Sequence, residues 1–331
     1  MLNRRQIVKG AAVLPFAVAG DSLAGRCVHA QAAFPTRAIT LVVPFPPGGV
    51  ADYAARPLAA FLGEKLGKNI VIENRAGAGG GVGHAYLARA DADGHTIMTA
   101  LPSLAVIPEA NRLQGRPVNY EVTDFVPLAR MFADPAFLAV KKEAKWKDIG
   151  ELIDDVKSNP GKIPYGSSGV FGTVHLAMEM FLNAAGLQML HVPYQGGAPA
   201  VNALLSDQVP IIPTVESNIK GQLDAGNLRA LVQLGDKRLP SLQDVPTAQE
   251  VGFKDVLYIL WTGVFAPVKT PQQAQRVLRA AIKEFMTRPD VLERFQKGGT
   301  QVGYMDGPEF AKFLEADSAR LIAVTQKIRL S

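Results

Sequence analysis

The residues able to do chemistry concentrate in four short turns, at 46–52, 77–84, 167–175 and 194–199. Each is rich in Gly, Ser or Thr, follows a short apolar run and opens a helical pattern. A turn of that kind leaves the first N–H groups of the helix without backbone partners, and the helix dipole adds partial positive charge there. The chemistry on offer is the holding of a small anion. No strongly basic cluster lies in these turns, so dipoles and hydroxyls would do the holding. In the first turn Pro46 and Pro47 have no N–H, so donors begin at Gly48 and run through Gly49, Val50 and Ala51. The two glycines carry no Cβ, which lets a ligand come close to the chain. Asp52 follows: its carboxylate either caps the helix and points away from an anion, or receives the ammonium of an amino-acid ligand. Taken alone, each stretch also reads as a βα turn that uses Gly only for tightness.

Other chemistries need patterns that this chain does not hold. The cluster Gly77 to Gly83, with Gly79 and Gly80 inside it, invites a dinucleotide site. Starting from Gly77, Gly79 or Gly81, however, the third glycine position falls on Val82, His84 or Tyr86. No Gly-Lys-Ser/Thr follows, so a phosphate loop is excluded and no cofactor is expected. Ser167 or Ser168 with His175 supplies the enzyme alternative, a secreted serine hydrolase. Gly166-Ser167-Ser168-Gly169-Val170 lacks the second glycine of a nucleophile elbow. His84, His95, His175 and His191 show no metal-ligand spacing on one helix, so no metal site is expected. His191 lies in an apolar run and reads as a core histidine; His175 opens a helix beside the Ser/Thr turn and is a candidate ligand contact. Tyr194 begins the last of the four turns. A cofactor-carrying or structural module is a third reading, disfavoured by the missing fingerprint.

The elements that must position these turns alternate along the chain. Ile39–Val43 is a β-branched apolar run that Pro44 should end, and a helix follows from Asp52 with Leu58, Phe61, Leu62 and Leu66 on its apolar face. Strands at 69–73 and 95–100 flank a helix at 84–90, a βαβαβ pattern that predicts a parallel, doubly wound sheet. Strands over 125–132 and 136–140 flank Asp134-Pro135, a candidate crossover into a second domain. There the pattern repeats: helix 146–158, strand 162–165, helix 175–185 stopped by Gly186, strand 189–193, helix 198–205, strand 209–215, helix 216–225 and strand 228–234. The last sixty-odd residues read as helices at 271–288, 289–297 and 308–328, with Asp306-Gly307-Pro308-Glu309 as a start signal.

With 331 residues, 48% apolar and 20% charged, the chain is long enough for two ordinary globular domains. Its first thirty-odd residues read as an address. Arg4-Arg5 precedes the small, apolar run Gly10 to Gly20, which is too short to span a bilayer. A twin-arginine-type leader over 1–32, cut so that the mature chain starts between Gln31 and Phe34, implies export to the periplasm. The leader holds Arg4, Arg5, Lys9 and Arg26 against Asp21, so its removal takes the net charge from +5 to +2 and leaves no argument for nucleic acid. It also holds the single cysteine, Cys27, so the mature chain must be held by its core without disulfides.

Several motifs stand together in one order: Pro44-Phe45-Pro46-Pro47-Gly48-Gly49-Val50-Ala51-Asp52 with Arg56, Val71-Ile72-Glu73-Asn74-Arg75-Ala76-Gly77-Ala78-Gly79-Gly80, Tyr165-Gly166-Ser167-Ser168-Gly169 with His175-Leu176-Ala177, and His191-Val192-Pro193-Tyr194-Gln195-Gly196-Gly197-Ala198-Pro199-Ala200. Lys237-Arg238-Leu239-Pro240, Val245-Pro246-Thr247 and Ala266-Pro267 continue the series. From about Phe34 to near its end the chain resembles the Bug family of periplasmic solute receptors, the receptor component of tripartite tricarboxylate transporters. The resemblance implies two doubly wound α/β domains with a ligand cleft between them, like a type II periplasmic binding protein. Domain 1 would comprise 33–133 plus 262–331, and domain 2 would comprise 134–261. It implies a carboxylate-binding loop at Phe45, Pro46, Pro47, Gly48 and Gly49, and an opposing loop at Ser167, Ser168, Gly169 and Thr173. Asp52, Gly79, Gly80, Ser103, His175 and Tyr194 would join them as ligand-binding residues. Leu101-Pro102-Ser103-Leu104 lacks the run of small hydroxyl residues usual there, and Thr262 follows Trp261 where the family often differs; both bear on which ligand is bound. The implied function is non-catalytic: a monomeric receptor that closes on a mono- or dicarboxylate, aromatic acid or amino acid and hands it to membrane transporter subunits.

Overall fold

The computed structural model describes residues 34–328; the Arg4-Arg5 leader and Cys27 lie outside the described residues. The chain opens with β1 (Ile39–Val43), α1 (Val50–Leu66), β2 (Ile70–Asn74), α2 (Gly81–Ala88), β3 (Thr96–Ala100) and α3 (Ser103–Leu113). The helix over 103–113 carries Pro102 before it and Pro108 within it, which hides it from periodicity. A long β4 (Phe125–Pro135) then runs straight through Asp134-Pro135, the pair expected to break it, and only Ala136 separates it from β5 (Phe137–Lys141). Pro135 is tolerated because it is the last residue of its strand.

The middle of the chain supplies α4 (Ile149–Ser158), β6 (Pro164–Ser167), α5 (Thr173–Ala185), β7 (Leu190–Pro193), α6 (Gly197–Leu205), β8 (Ile211–Thr214), α7 (Glu216–Asp224) and β9 (Leu228–Gln233). It returns through β10 (Ile259–Pro267) and closes with α8 (Gln272–Thr287), α9 (Pro289–Lys297), β11 (Val302–Asp306) and α10 (Gly307–Thr325). Helices α1 and α5 end as the glycines dictate, with Gly67 and Gly186 in the left-handed region. The predicted start at Asp306 is a true cap, its carboxylate accepting the Gly307 N–H at 2.9 Å.

The first sheet has the order β11-β4-β10-β3-β1-β2. Only β2, β1 and β3 are parallel; β10 is antiparallel to both β3 and β4, and β11 to β4. The parallel expectation holds for β1, β2 and β3, the strands it was read from; the rest of the sheet is antiparallel for a topological reason. β4 carries the chain out to the second lobe, and β10 brings it back alongside, from Ile259 opposite Pro135 to Pro267 opposite Phe125. The second lobe holds an antiparallel sheet β8-β5-β9 and a parallel pair β6-β7. Both lobes are α/β.

The core needs no cross-links. On α8, Ala274, Leu278, Ala281, Ile282 and Phe285 recur at helical spacing and are all buried. Phe285, Phe132 and Tyr53 pack their rings around the fully buried Phe295 at 4.5 to 6.1 Å. A second aromatic cluster joins Trp261, Phe265 and Phe310, with the Trp261 indole N–H satisfied by Asp317 at 2.8 Å.

Candidate functional site

Helices α1, α5 and α6 begin after Gly49, Gly172 and Gly196, none with a side-chain cap. Their first turns converge on one small cavity of about 30 Å³, lined by Gly49, Val50 and Ala51 of α1, Thr173 and Val174 of α5, and Gly197, Ala198 and Pro199 of α6. Uncapped N–H groups from three helices sum their dipoles on this point, which therefore favours a negative charge. By volume it takes roughly two waters or one carboxylate group. Ser168 and Asn218 add polar atoms to its lining. The Ser168 hydroxyl is buried and has no hydrogen-bond partner among the described residues, as is true of Ser103 nearby, whose backbone N–H reaches the Thr173 hydroxyl at 3.4 Å. Orphan buried hydroxyls cost stability unless a ligand or water completes them. Among the described residues no acidic one lines the cavity.

Phe45, Pro46 and Ser168 line this cavity and also a larger one beside it, of about 290 Å³. The larger one is walled by Gly79 and Gly80 on one side and by Gly169, Phe171 and Tyr194 on the other. Gly77, Ala78, Gly79 and Gly80 all have positive φ, a run that glycine makes affordable. At Gly79 there is also a close approach: an added Cβ would stand 3.5 Å from Gly172 and 3.4 Å from the Val170 carbonyl. At Gly196 it would stand 3.1 Å from the Pro46 ring. The turns of the two lobes are thus in contact across the cleft.

Of the residues expected at the site, Phe45, Pro46, Gly49, Gly79, Gly80, Ser168, Gly169, Thr173 and Tyr194 line one cavity or both. Pro47 and Gly48 face outward, and the Gly48 N–H is not available as a donor: it is held by Asp52 Oδ2 at 3.0 Å. Donors on this turn therefore start at Gly49. Asp52 is neither an N-cap nor an ammonium site. It sits in the third position of α1, buried, with Arg56 on both oxygens at 2.8 and 2.9 Å and the Asn74 amide on Oδ1 at 3.0 Å. Burial pushes its carboxyl up, but Arg56, the Gly48 N–H and Asn74 together hold it below the ordinary value.

Ser167 and His175 lie behind the cavities rather than in them. The Ser167 hydroxyl is 2.6 Å from His191 Nε2, not on His175. His175 Nδ1 instead accepts the Phe171 N–H at 3.1 Å, which makes Nε2 its protonated nitrogen. The rings of Tyr165, His191 and His175 stack in series, 5.0 and 4.0 Å apart. Burial, with His191 beside it, pushes His175 well below the usual imidazole range, and burial takes His191 to about 4. Both are neutral near pH 7. They brace the 167–171 loop, and the pairing of either serine with His175 that a hydrolase needs is not formed.

Sequence reasoning missed Asn218, Leu260 and the outer-wall residues Ile107, Asn111, Arg116 and Phe171. The strand-to-helix junction at Val215-Glu216 resembles the four turns already found and could have flagged Asn218. Asn111 and Arg116 sit at and just beyond the end of the unforeseen α3, so no local signal marked them.

Two α/β lobes whose turns enclose a small pocket of helix N-termini define a solute-binding protein of the periplasmic receptor class. Residues 54–330 match the model of the tripartite tricarboxylate transporter family receptor, and the chain belongs to that family. It is 33% identical over 270 residues to BugT of Bordetella pertussis, covering 80% of this chain and 81% of that protein. Among solved structures, Rpa4515 of R. palustris with adipate superposes with a TM-score of 0.82 at 32% identity, covering 88% of this chain and 97% of that one. MatC of Rhodopseudomonas palustris with bound malate gives 0.81 at 29%, covering 88% and 100%. The chain is a Bug-family receptor.

Proposed function

We propose that the protein is an extracytoplasmic receptor for a small carboxylate, which it delivers to the membrane subunits of a tripartite tricarboxylate-type transporter. The observation that carries this reading is the convergence of three uncapped helix N-termini, with no acidic lining residue among those described, on a cavity the size of one carboxylate. Family membership and the adipate and malate bound in two related structures support the same ligand class. The proposed contacts are the N–H groups of Gly49, Val50 and Ala51 on one lobe, with Thr173 and Ser168 on the other. The ligand would bridge the lobes and stabilise the closed cleft, the crossovers at Pro135-Ala136 and near Ile259 serving as hinges.

The proposed domains are 33–133 with 262–331, and 134–261; the pairing of Ile259 and Leu260 with Pro135 and Asp134 draws the hinge strands toward the six-stranded sheet. We assign the mature protein to the periplasm as a monomer, exported by its Arg4-Arg5 leader. It carries out no catalysis, a reading that the separation of His175 from Ser167 and Ser168 supports. Calorimetric titration with adipate, malate and the diamide of each tests the proposal. Saturable binding of an acid, with no heat from its diamide and no turnover of ester analogues, is expected. Equal binding of acid and diamide would refute a site built for negative charge.

A further inference from the structure

We propose that a groove behind the hinge strands is a regulatory site for a small multivalent oxyanion, whose binding opposes closure of the ligand cleft. The groove has a volume of about 600 Å³, within the range of small-ligand sites. It lies on the face of the hinge strands turned away from the carboxylate pocket. Leu260 lines that pocket, whereas its neighbour Ile259 and the paired Pro135 line the groove. Arg130 reaches the same face through a bulge. The register of β10 on β4 passes from Thr262 opposite Phe132 to Gly263 opposite Arg130, which makes Met131 the extra residue. Arg130 is thereby turned to the side of Ala133 and Pro135, and all three line the groove.

Four cations line the groove against two carboxylates. Arg320 is engaged by Asp317 at 2.7 Å, and Arg238 by Glu250 at 2.8 Å. That leaves Arg130 and Lys237, neither with an ion-pair partner among the described residues, against the exposed Asp236. Arg130 gives its Nε–H to the Gly303 carbonyl at 2.7 Å and lies 4.6 Å from the centre of the Phe313 ring. These two contacts fix the guanidinium, while its terminal nitrogens donate to no described residue. Burial pushes the group below its ordinary range, with the charges of Glu309 and Asp317 opposing. A half-buried guanidinium with an open fork is completed by an oxyanion, and a second charge on that anion suits Lys237.

Arg130 stands on β4 of the six-stranded sheet, and Lys237 follows β9 of the second lobe. An anion held by both draws the two sides of the groove together. The hinge strands separate groove from cleft, so narrowing the one opens the other. Oxyanion and carboxylate therefore bind against each other, each weakening the other by the same factor. This coupling rests on the cleft being the carboxylate site; the groove's own affinity for an anion does not.

The test uses inorganic pyrophosphate as the probe and the full chain as wild type, Arg130→Gln and Lys237→Gln. Direct calorimetric titration should show one saturable site in wild type, weakened about tenfold by Arg130→Gln and about threefold by Lys237→Gln, and weakened by added salt. Lys237 is exposed, so its variant keeps the test open if Arg130→Gln unfolds. Titration with adipate or malate at rising pyrophosphate should show a carboxylate affinity that falls and then levels off at a loss of about fivefold or more. The level should be reached at higher pyrophosphate in the variants. Absence of pyrophosphate binding, or binding that neither variant weakens, overturns the groove site. A carboxylate affinity that falls without limit, equally in wild type and both variants, is direct competition in the cleft and overturns the coupling. If neither acid binds at all, the carboxylate reading fails by itself, and the direct pyrophosphate titration still decides the groove.

Discussion

Gly49→Val tests the anion pocket at its floor. Gly49 is buried and lines the small cavity, with φ −85° and ψ 176°, an extended conformation that valine adopts without strain. A Cβ added there would find only the Pro46 carbonyl, 3.9 Å away, so a side chain at this position grows into the cavity itself. The cavity's 30 Å³ takes roughly two waters, and valine brings three heavy atoms, so the side chain and a carboxylate cannot both fit. Losing two charge-assisted hydrogen bonds costs about 3 kcal/mol or more, a loss of at least roughly a hundredfold in affinity. The cost to folding is confined to a poorer N-cap residue, about 1 kcal/mol. Titration calorimetry with adipate or malate, alongside urea unfolding of the unliganded protein, separates the two effects. A folded Gly49→Val protein that binds as tightly as wild type would show that the carboxylate lies elsewhere.

Three further outcomes follow from the same geometry. Ser168→Ala removes a buried hydroxyl that lacks a partner; the unliganded protein should be unchanged or slightly more stable, while affinity falls about tenfold, as a denaturation series and a titration would read. Asp52→Asn breaks the pairing with Arg56 and should cost roughly 1–2 kcal/mol of stability, discounted for the exposed guanidinium, with equal effects on acids that carry an amine and acids that do not. Its wild-type carboxyl is held low, so the stability it contributes is present above the unfolded value of 3.8 and lost as pH falls through the folded one; Asp52→Asn should flatten that acid limb. Asp134 behaves oppositely: burial, with the Glu216 charge added and the Gln301 N–H opposing, takes it to about 8. Its contribution is fully present below 3.8 and lost as pH rises through about 8, with a slope of at most about 1.4 kcal/mol per pH unit, and Asp134→Asn should remove that slope from urea-unfolding profiles.

The elements legible in the sequence were those whose signals are local. The run Ile39–Val43, the stop at Gly186 and the cap at Asp306 each act within a few residues of themselves, and each holds. Pairing direction is not local. Nothing in Ile259–Pro267 announces an antiparallel return between β3 and β4, because that depends on where β4 leaves the first sheet. The site divides in the same way. Gly49 and Thr173 were readable because a Gly or Ser/Thr turn before a helix has a physical consequence of its own. The role of Asp52 was not, since Arg56 and Asn74 reach it from one turn along its helix and from the next strand. Arg116 depends on the course of α3, which two prolines conceal.

A crystal structure of the complex with whichever acid of the succinate, malate and adipate set binds most tightly tests the central claim most directly. The account predicts one carboxylate in the small cavity, its oxygens within hydrogen-bond distance of first-turn N–H groups of α1 and of α5 or α6, and of the Ser168 hydroxyl. A ligand seated outside that cavity, or one whose carboxylate faces solvent while its apolar part fills the pocket, would contradict it.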